Sequence, residues 1–312
     1  MRLLVAIDGS TDADRAVALV SGASLPPGLA VRVVAVAEEM PDWLAMPGEA
    51  VPYIDLAAAD QQVAADLTTA LEAAKATLAK AGLEAEAVLL RGRPSTQIAQ
   101  EAEAFGADLV VVGSRGRGPF RSMLLGSVSA EVVDVVAAPV LVARSATLGP
   151  VIVAEDGSDG ARRAVELLLS CPTLVAGGVR VVSVAATPQL SFIGLEPMTA
   201  EVADMWAQTR DAVIETSHKL SAATADRFRE HDIAVEVATP EGDPAHALVA
   251  EAREHGVGLI AMGSRGQTGL TRLVLGSVAR NVLLHAPCSV MIVKAPPAVA
   301  EKDAGTTAGA DH

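Results

Sequence analysis

Aromatic side chains are scarce in this 312-residue chain, with four Phe, two Trp and one Tyr. A core without them must be built from Ala, Val, Leu and Ile, which suits helices laid on buried parallel strands. Cysteine is nearly absent as well. Cys171 and Cys288 are the only two, and their separation gives no metal-ligand spacing. A disulfide framework is excluded, and a reducing, cytoplasmic setting is expected. Basic residues fall short of acidic ones, 24 against 38, for a net charge of −14. A field of that sign repels nucleic acid and anionic lipid, so neither is an expected partner. Any bound anion has to be held by local geometry. No apolar run approaches the roughly 20 residues that cross a bilayer. The first such run is cut by Asp8 with no cleavage pattern behind it, so no secretory leader is expected either.

What is present is a repeat. Residues 2–10 read RLLVAIDGS and residues 150–158 read PVIVAEDGS, each followed by an Ala-rich stretch. The runs at 31–36 and 179–184 continue the match at an offset of 148 residues. From Gly92-Arg93-Pro94 against Gly242-Asp243-Pro244 onward the offset is 150, so the second copy has gained two residues after its second strand. A duplication with one small insertion explains the pattern.

Each copy alternates apolar runs with helical stretches. The expected strands of the first copy are 2–7, 31–37, 85–90, 108–113 and 139–143, with a long helix over 56–81. Pro94 and Pro244 stand where a first helical turn accepts proline. The expected fold class is therefore α/β: two tandem Rossmann-like domains, each a five-stranded parallel sheet flanked by helices. The domains are placed at 1–146 and 147–295, with 144–150 as the connection and 296–312 as a disordered tail.

One loop is repeated in both copies: Gly, two residues, Gly, nine residues, Gly-Ser. It reads Gly113, Gly116, Gly126-Ser127 and then Gly263, Gly266, Gly276-Ser277. The loop leaves the fourth strand at its carboxyl end, where open α/β sheets bind ligands, and it ends on a helix N-terminus. Backbone N–H groups, a hydroxyl and the positive end of the helix dipole together suit phosphate. Arg115, Arg121, Arg265 and Arg272 offer local positive charge. Asp8 and Asp156 end the first strand on the same edge, where a carboxylate can accept from ribose hydroxyls. Val36 and Val184 end the second strand, where their backbone can meet an adenine edge. A plain tight turn and a plain serine N-cap would also explain parts of the loop. Retention of all three glycines, the Ser and the Asp in both copies favours a duplicated nucleotide site.

At these residues the chain resembles the universal stress protein family in its tandem, ATP-binding form. The similarity spans about 1–145 and 150–295, and includes the ending Leu284 to Val290. The resemblance implies ATP, with Mg²⁺ held through the phosphates. It implies a first site of Asp8, Val36, Val112, Gly113, Gly116, Gly126, Ser127 and Val128, and a second of Asp156, Val184, Met262, Gly263, Gly266, Gly276, Ser277 and Val278. It also implies a homodimer formed through the last strands, 140–143 and 290–293, and a regulatory protein partner not identified by the sequence.

Three departures stand out. Glu155 replaces Ile7 just before the ribose Asp, and strand alternation should point it away from Asp156. Gly258 replaces Asp108, which reads as a capping or turn matter. Ala137-Ala138-Pro139 stands where the second copy has Pro287-Cys288-Ser289. On these grounds the first site is the better fit to ATP.

Catalysis has little to work with. No His lies in the first copy, His285 reads as structural, and there is no Gly-x4-Gly-Lys-Ser/Thr phosphate loop. The expected role is a nucleotide sensor or regulator in a stress response. The alternatives are a slow Mg-dependent ATPase and a cyclic-AMP-binding protein.

Overall fold

The computed structural model describes residues 1–23, 25, 28–38, 56–116, 125–187, 200–266 and 275–295. In the first half β1 (Arg2–Ile7), β2 (Ala30–Ala37), β3 (Ala85–Arg91), β4 (Leu109–Gly113) and β5 (Val140–Ala143) alternate with α1 (Thr11–Gly22), α2 (Leu56–Lys80), α3 (Pro94–Phe105) and α4 (Ser127–Val135). The second half repeats the order. Its strands are β6 (Val151–Ala154), β7 (Val179–Val182), β8 (Val235–Ala238), β9 (Leu259–Gly263) and β10 (Ser289–Val293). Its helices are α5 (Asp159–Ser170), α6 (Ala200–Arg229), α7 (Pro244–Glu254) and α8 (Ser277–His285). The expected tail, 296–312, lies outside the described residues.

Both halves start alike for the same physical reason. An apolar run gives the buried strand; Gly9 and Gly157 then take φ of 72° and 77°, a left-handed turn that glycine enters without strain. Ser10 and Ser158 follow as N-caps, their hydroxyls accepting from Ala13 N and Ala161 N at 3.2 Å. Pro94 and Pro244 open α3 and α7, as their missing N–H allows.

The strands form one ten-stranded sheet in the order β3-β2-β1-β4-β5-β10-β9-β6-β7-β8. Every pairing is parallel except β5 with β10, which is antiparallel with Leu141 opposite Met291. This pairing corrects the expectation of a homodimer through the last strands. Those strands pair with each other inside one chain, and β4 and β9 take their other edges. No hydrogen-bonding edge of either is left for a second copy. The antiparallel junction also puts the carboxyl edges of the two halves on opposite sides of the sheet.

One face of the sheet is covered by α1, α2, α5 and α6 over Leu3, Val5, Val153, Leu168 and Phe228. The other carries α3, α4, α7 and α8 over Leu4, Val110, Ile260 and Leu283. Charged pairs repeat with the fold. Arg32 bridges Glu86 and Glu101, while its counterpart Arg180 bridges Glu236 and Glu251. The junction has reciprocal clamps. Arg144, just past β5, donates to Leu283 O at the end of α8 and to Cys288 O at 3.1 Å. Lys294, just past β10, donates to Asp134 O at the end of α4 at 2.6 Å. Cations at helix C-termini complement the dipole.

The structure also explains Gly258, which is not a capping matter. In the first half Arg2 N donates to the Asp108 carboxylate at 2.6 Å. Its counterpart in the second half is Pro150, which has no N–H, so no carboxylate is needed. Gly258 instead packs backbone on backbone against the connection: a Cβ there would lie 2.2 Å from Gly149 N.

Cys171 and Cys288 are buried free thiols. Burial pushes the Cys288 thiol up to about 11, although Arg144 pulls the other way. Only a thiolate attacks a disulfide reagent. At pH 8 both thiols should stay silent to a colorimetric disulfide reagent in the native protein and react together after guanidinium is added. Rapid native reaction would contradict the packing described.

Candidate functional site

The eight residues expected at the second site come together. Asp156, Val184, Met262, Gly263, Gly266, Gly276, Ser277 and Val278 all line one cavity of about 820 Å³. That volume lies within the roughly 300–1,000 Å³ common for small-molecule pockets. The cavity sits at the carboxyl edge of the second half, between α6 on one side and α7 with β9 on the other. Val184 falls two residues beyond β7, which stops at Val182, and not on the strand end as expected. The next residue, Ala185, makes an isolated bridge to Glu241.

The two halves build the strand-end acid in the same way. Asp8 Oδ1 accepts from Ser10 N and Asp156 Oδ1 from Ser158 N, each at 3.0 Å, which fixes the carboxylate over its turn. The second glycine of each loop lies against that carboxylate. A Cβ on Gly116 would sit 2.5 Å from Asp8 Oδ2, and one on Gly266 3.1 Å from Asp156 Oδ2. The third glycine folds back on the start of its own loop: Gly126 N donates to Ser114 O at 2.8 Å and Gly276 N to Ser264 O at 2.9 Å.

The helix cap is this third glycine and not the serine. Gly126 and Gly276 are the N-caps of α4 and α8, and neither has a side chain to satisfy the first-turn amides. Ser127 and Ser277 are the first helical residues. Such an end presents N–H groups and the positive dipole to whatever lies in front of it. Gly113 closes β4 beside Ala143, with Val112 buried next to it and Val36 half-buried on β2. Val128 is exposed on α4.

Arg115 does not stand alone at the loop, because it shares the Asp12 carboxylate with Arg15. Its Nε donates to Asp12 Oδ2 at 2.9 Å, and Ser114 Oγ donates to the same oxygen at 2.7 Å. Burial raises the Asp12 carboxyl, but these hydrogen bonds and the charges of Arg115 and Arg15 outweigh it and hold it below the usual carboxylate range. Asp12 was missed in the sequence because it looks like an ordinary first-turn acid. Its replacement by Gly160 in the second copy was the available signal. There Arg265 lines the cavity. Arg121 and Arg272 lie outside the described residues, as does the middle of each loop.

Glu155 is buried, at 5% exposure, while Asp156 beside it is exposed. Glu155 nevertheless lines the same cavity. Its Oε1 accepts from Gly157 N at 2.6 Å and its Oε2 from Thr224 Oγ at 2.7 Å. His285 sits at the exposed end of α8, with Nδ1 2.9 Å from Asn281 O. Among the described residues no helix is long and apolar enough to cross a membrane. Nor does any group of three His, Cys, Asp or Glu among them form a metal site.

Comparison with known proteins agrees with this architecture. A universal stress protein from Bacillus subtilis is 31% identical over 143 residues, 46% of this chain and 97% of its own length. One from Mycobacterium bovis is 27% identical over 300 residues, 93% of this chain and 96% of the relative. The crystal structure of a universal stress protein from Archaeoglobus fulgidus has the same fold, with a TM-score of 0.64 at 21% identity, covering 95% of this chain and 98% of that one. The model of the universal stress protein family matches twice, over residues 1–144 and 148–294, so the chain belongs to that family as a tandem of two of its domains.

Proposed function

We propose that the chain binds adenine nucleotide, ATP with Mg²⁺ held through its phosphates, and acts as a sensor or regulator in a stress response. The observation that carries this reading is the convergence of all eight second-site residues on one cavity. Uncapped amides of α8 face a phosphate there, Asp156 faces a ribose, and an apolar wall of Val182, Leu248 and Met262 suits a base. The first copy repeats the acid, the glycines and the glycine cap of α4. Free, buried thiols fit work in the cytoplasm. A partner protein would read the nucleotide state.

Titration calorimetry of the full chain with ATP and Mg²⁺ tests the reading. The double variant Gly126→Glu with Gly276→Glu places a carboxylate at both helix ends, where like charge opposes phosphate. Neither glycine has a positive φ, at −74° and −64°, but an added Cβ would lie 3.3 Å from Arg115 Cα and 3.2 Å from Ser264 O, so thermal unfolding of the variant is compared with the parent's to show that it folds. Heat of binding should be present in the parent and absent in the variant. Undiminished binding in the variant would sink the assignment.

A further inference from the structure

The two copies differ in a concerted way at positions that meet in space. The helices α2 and α6 align at an offset of 150, since Leu83 N to Leu78 O and Ile233 N to Phe228 O close them identically. Where the first half has Ile7, Ala35, Leu67, Leu71 and Ala74, the second has Glu155, Ser183, Ser217, Ser221 and Thr224. All ten are buried. An apolar contact between helix and sheet has thus been exchanged for a polar one at matched burial.

Some of this polar set satisfies itself. Ser221 Oγ donates to Ser217 O at 3.1 Å, and Thr224 Oγ donates to Glu155. Ser183 and Ser217 do not. They are 2% and 7% exposed, their hydroxyls hydrogen-bond to none of the described residues, and both line the cavity together with Glu155. Both hydroxyls open onto the cavity, where a ligand or water can satisfy them. Each Glu155 oxygen accepts one hydrogen bond within the protein, and a carboxylate has about four acceptor positions in all. The wall therefore offers acceptors at Glu155 beside hydroxyls able to donate at Ser183 and Ser217.

From this we infer that the second site adds a side-chain reading of the base, through Glu155, Ser183 and Ser217, which the first site lacks. The inference rests on the nucleotide reading above and adds selectivity to it. Adenine presents an exocyclic N–H donor next to a ring-nitrogen acceptor, the complement of a carboxylate next to a hydroxyl. Hypoxanthine presents a carbonyl and a ring N–H at the same places, which sets oxygen against oxygen at Glu155. The first half, with Ile7, Ala35 and Leu67 at these positions, has no side-chain group there to tell the two apart.

The test compares ATP with inosine triphosphate, both with Mg²⁺, on full-length protein carrying Gly126→Glu to close the first site. The expected preference for ATP is about tenfold to a hundredfold, the worth of a hydrogen bond to a charged group. Adding Glu155→Gln replaces an acceptor with an amide able to donate, and the preference should collapse or reverse. Adding Ser217→Ala instead should weaken ATP binding while thermal unfolding stays near the parent's, which keeps the test informative if the Gln variant does not fold. Equal binding of the two nucleotides overturns the inference alone. Binding of neither overturns the nucleotide reading of this site as well. The complementary protein, with Gly276→Glu, should show a clearly smaller preference for ATP; an equal preference there also overturns the inference.

Discussion

Replacing Gly258 with alanine is expected to cost about 3 kcal/mol of stability, the upper end for overpacking a tight contact. The added Cβ would lie 2.2 Å from Gly149 N and 2.8 Å from Gly149 Cα. Both neighbours are backbone, so no side chain can rotate away. Gly149 is itself wedged, since a Cβ on Gly177 would meet Gly149 C at 2.8 Å. The connection between halves is held between two other segments and has no room to retreat. Gly258 N also donates to Pro150 O at 2.9 Å, so relief by moving the chain would break that bond. Thermal unfolding should show a midpoint lowered by roughly 4–6 °C. Asp108→Ala, at the equivalent position of the first half, removes an exposed hydrogen bond to Arg2 N and a 4.0 Å pairing with the Met1 ammonium, and should cost far less. Equal effects of the two variants would contradict the account of this crossing.

The second large effect is expected at Arg144. Its guanidinium crosses the junction to donate to Leu283 O and Cys288 O, and its backbone N donates to Ser289 Oγ at 3.1 Å. Burial lowers the tendency of this guanidinium to hold its proton, with Cys288 and Asp12 acting the other way and Arg115 reinforcing the loss. An arginine nonetheless stays charged at any working pH. Arg144→Ala leaves two carbonyls and the negative end of α8 without their donor. At about 1–3 kcal/mol for each buried group left unpaired, the loss should be about 2–4 kcal/mol in urea unfolding. Arg144→Lys should recover only part of it, because one ammonium does not present the two-armed geometry. Lys294→Ala, which removes one such bond on the reciprocal side, should cost less. A full rescue by lysine would show that charge, and not the paired donors, matters here.

Much of this architecture is legible in the sequence because each local signal agrees with the fold. Residues 2–7 form β1 as the apolar run before Asp8 indicates, and the prolines at 94 and 244 open helices. The glycine loop lands at the carboxyl edge because the strand before it can run only that way. What was not legible depended on partners distant in sequence. The pairing of Arg115 is with Asp12, 103 residues away. The pairing of β5 with β10 joins segments about 150 residues apart, and the sequence of one strand does not say whose edge it will meet. Strand alternation does not reach Glu155, because β6 ends at Ala154. Glu155 lines the same cavity as Asp156. Its place on the cavity wall depends on α6, whose serines make room where the first half has leucines. Val184 lies past the end of β7 at Val182, although Ser183 N and Ala185 N go on donating to Ala238 O and Pro240 O.

The β5–β10 junction has a further consequence. When two identical subunits meet across a twofold axis, any substitution appears on both sides of it, and assembly depends on concentration. Here the same meeting takes place within one chain, at an effective concentration set by the short connection rather than by how much protein is present. Symmetry is no longer enforced, so Glu155 can exist opposite Ile7 and Gly160 opposite Asp12 without a second copy of either change. Covalent union of the halves is what frees one pocket to specialise while the other is left as it was.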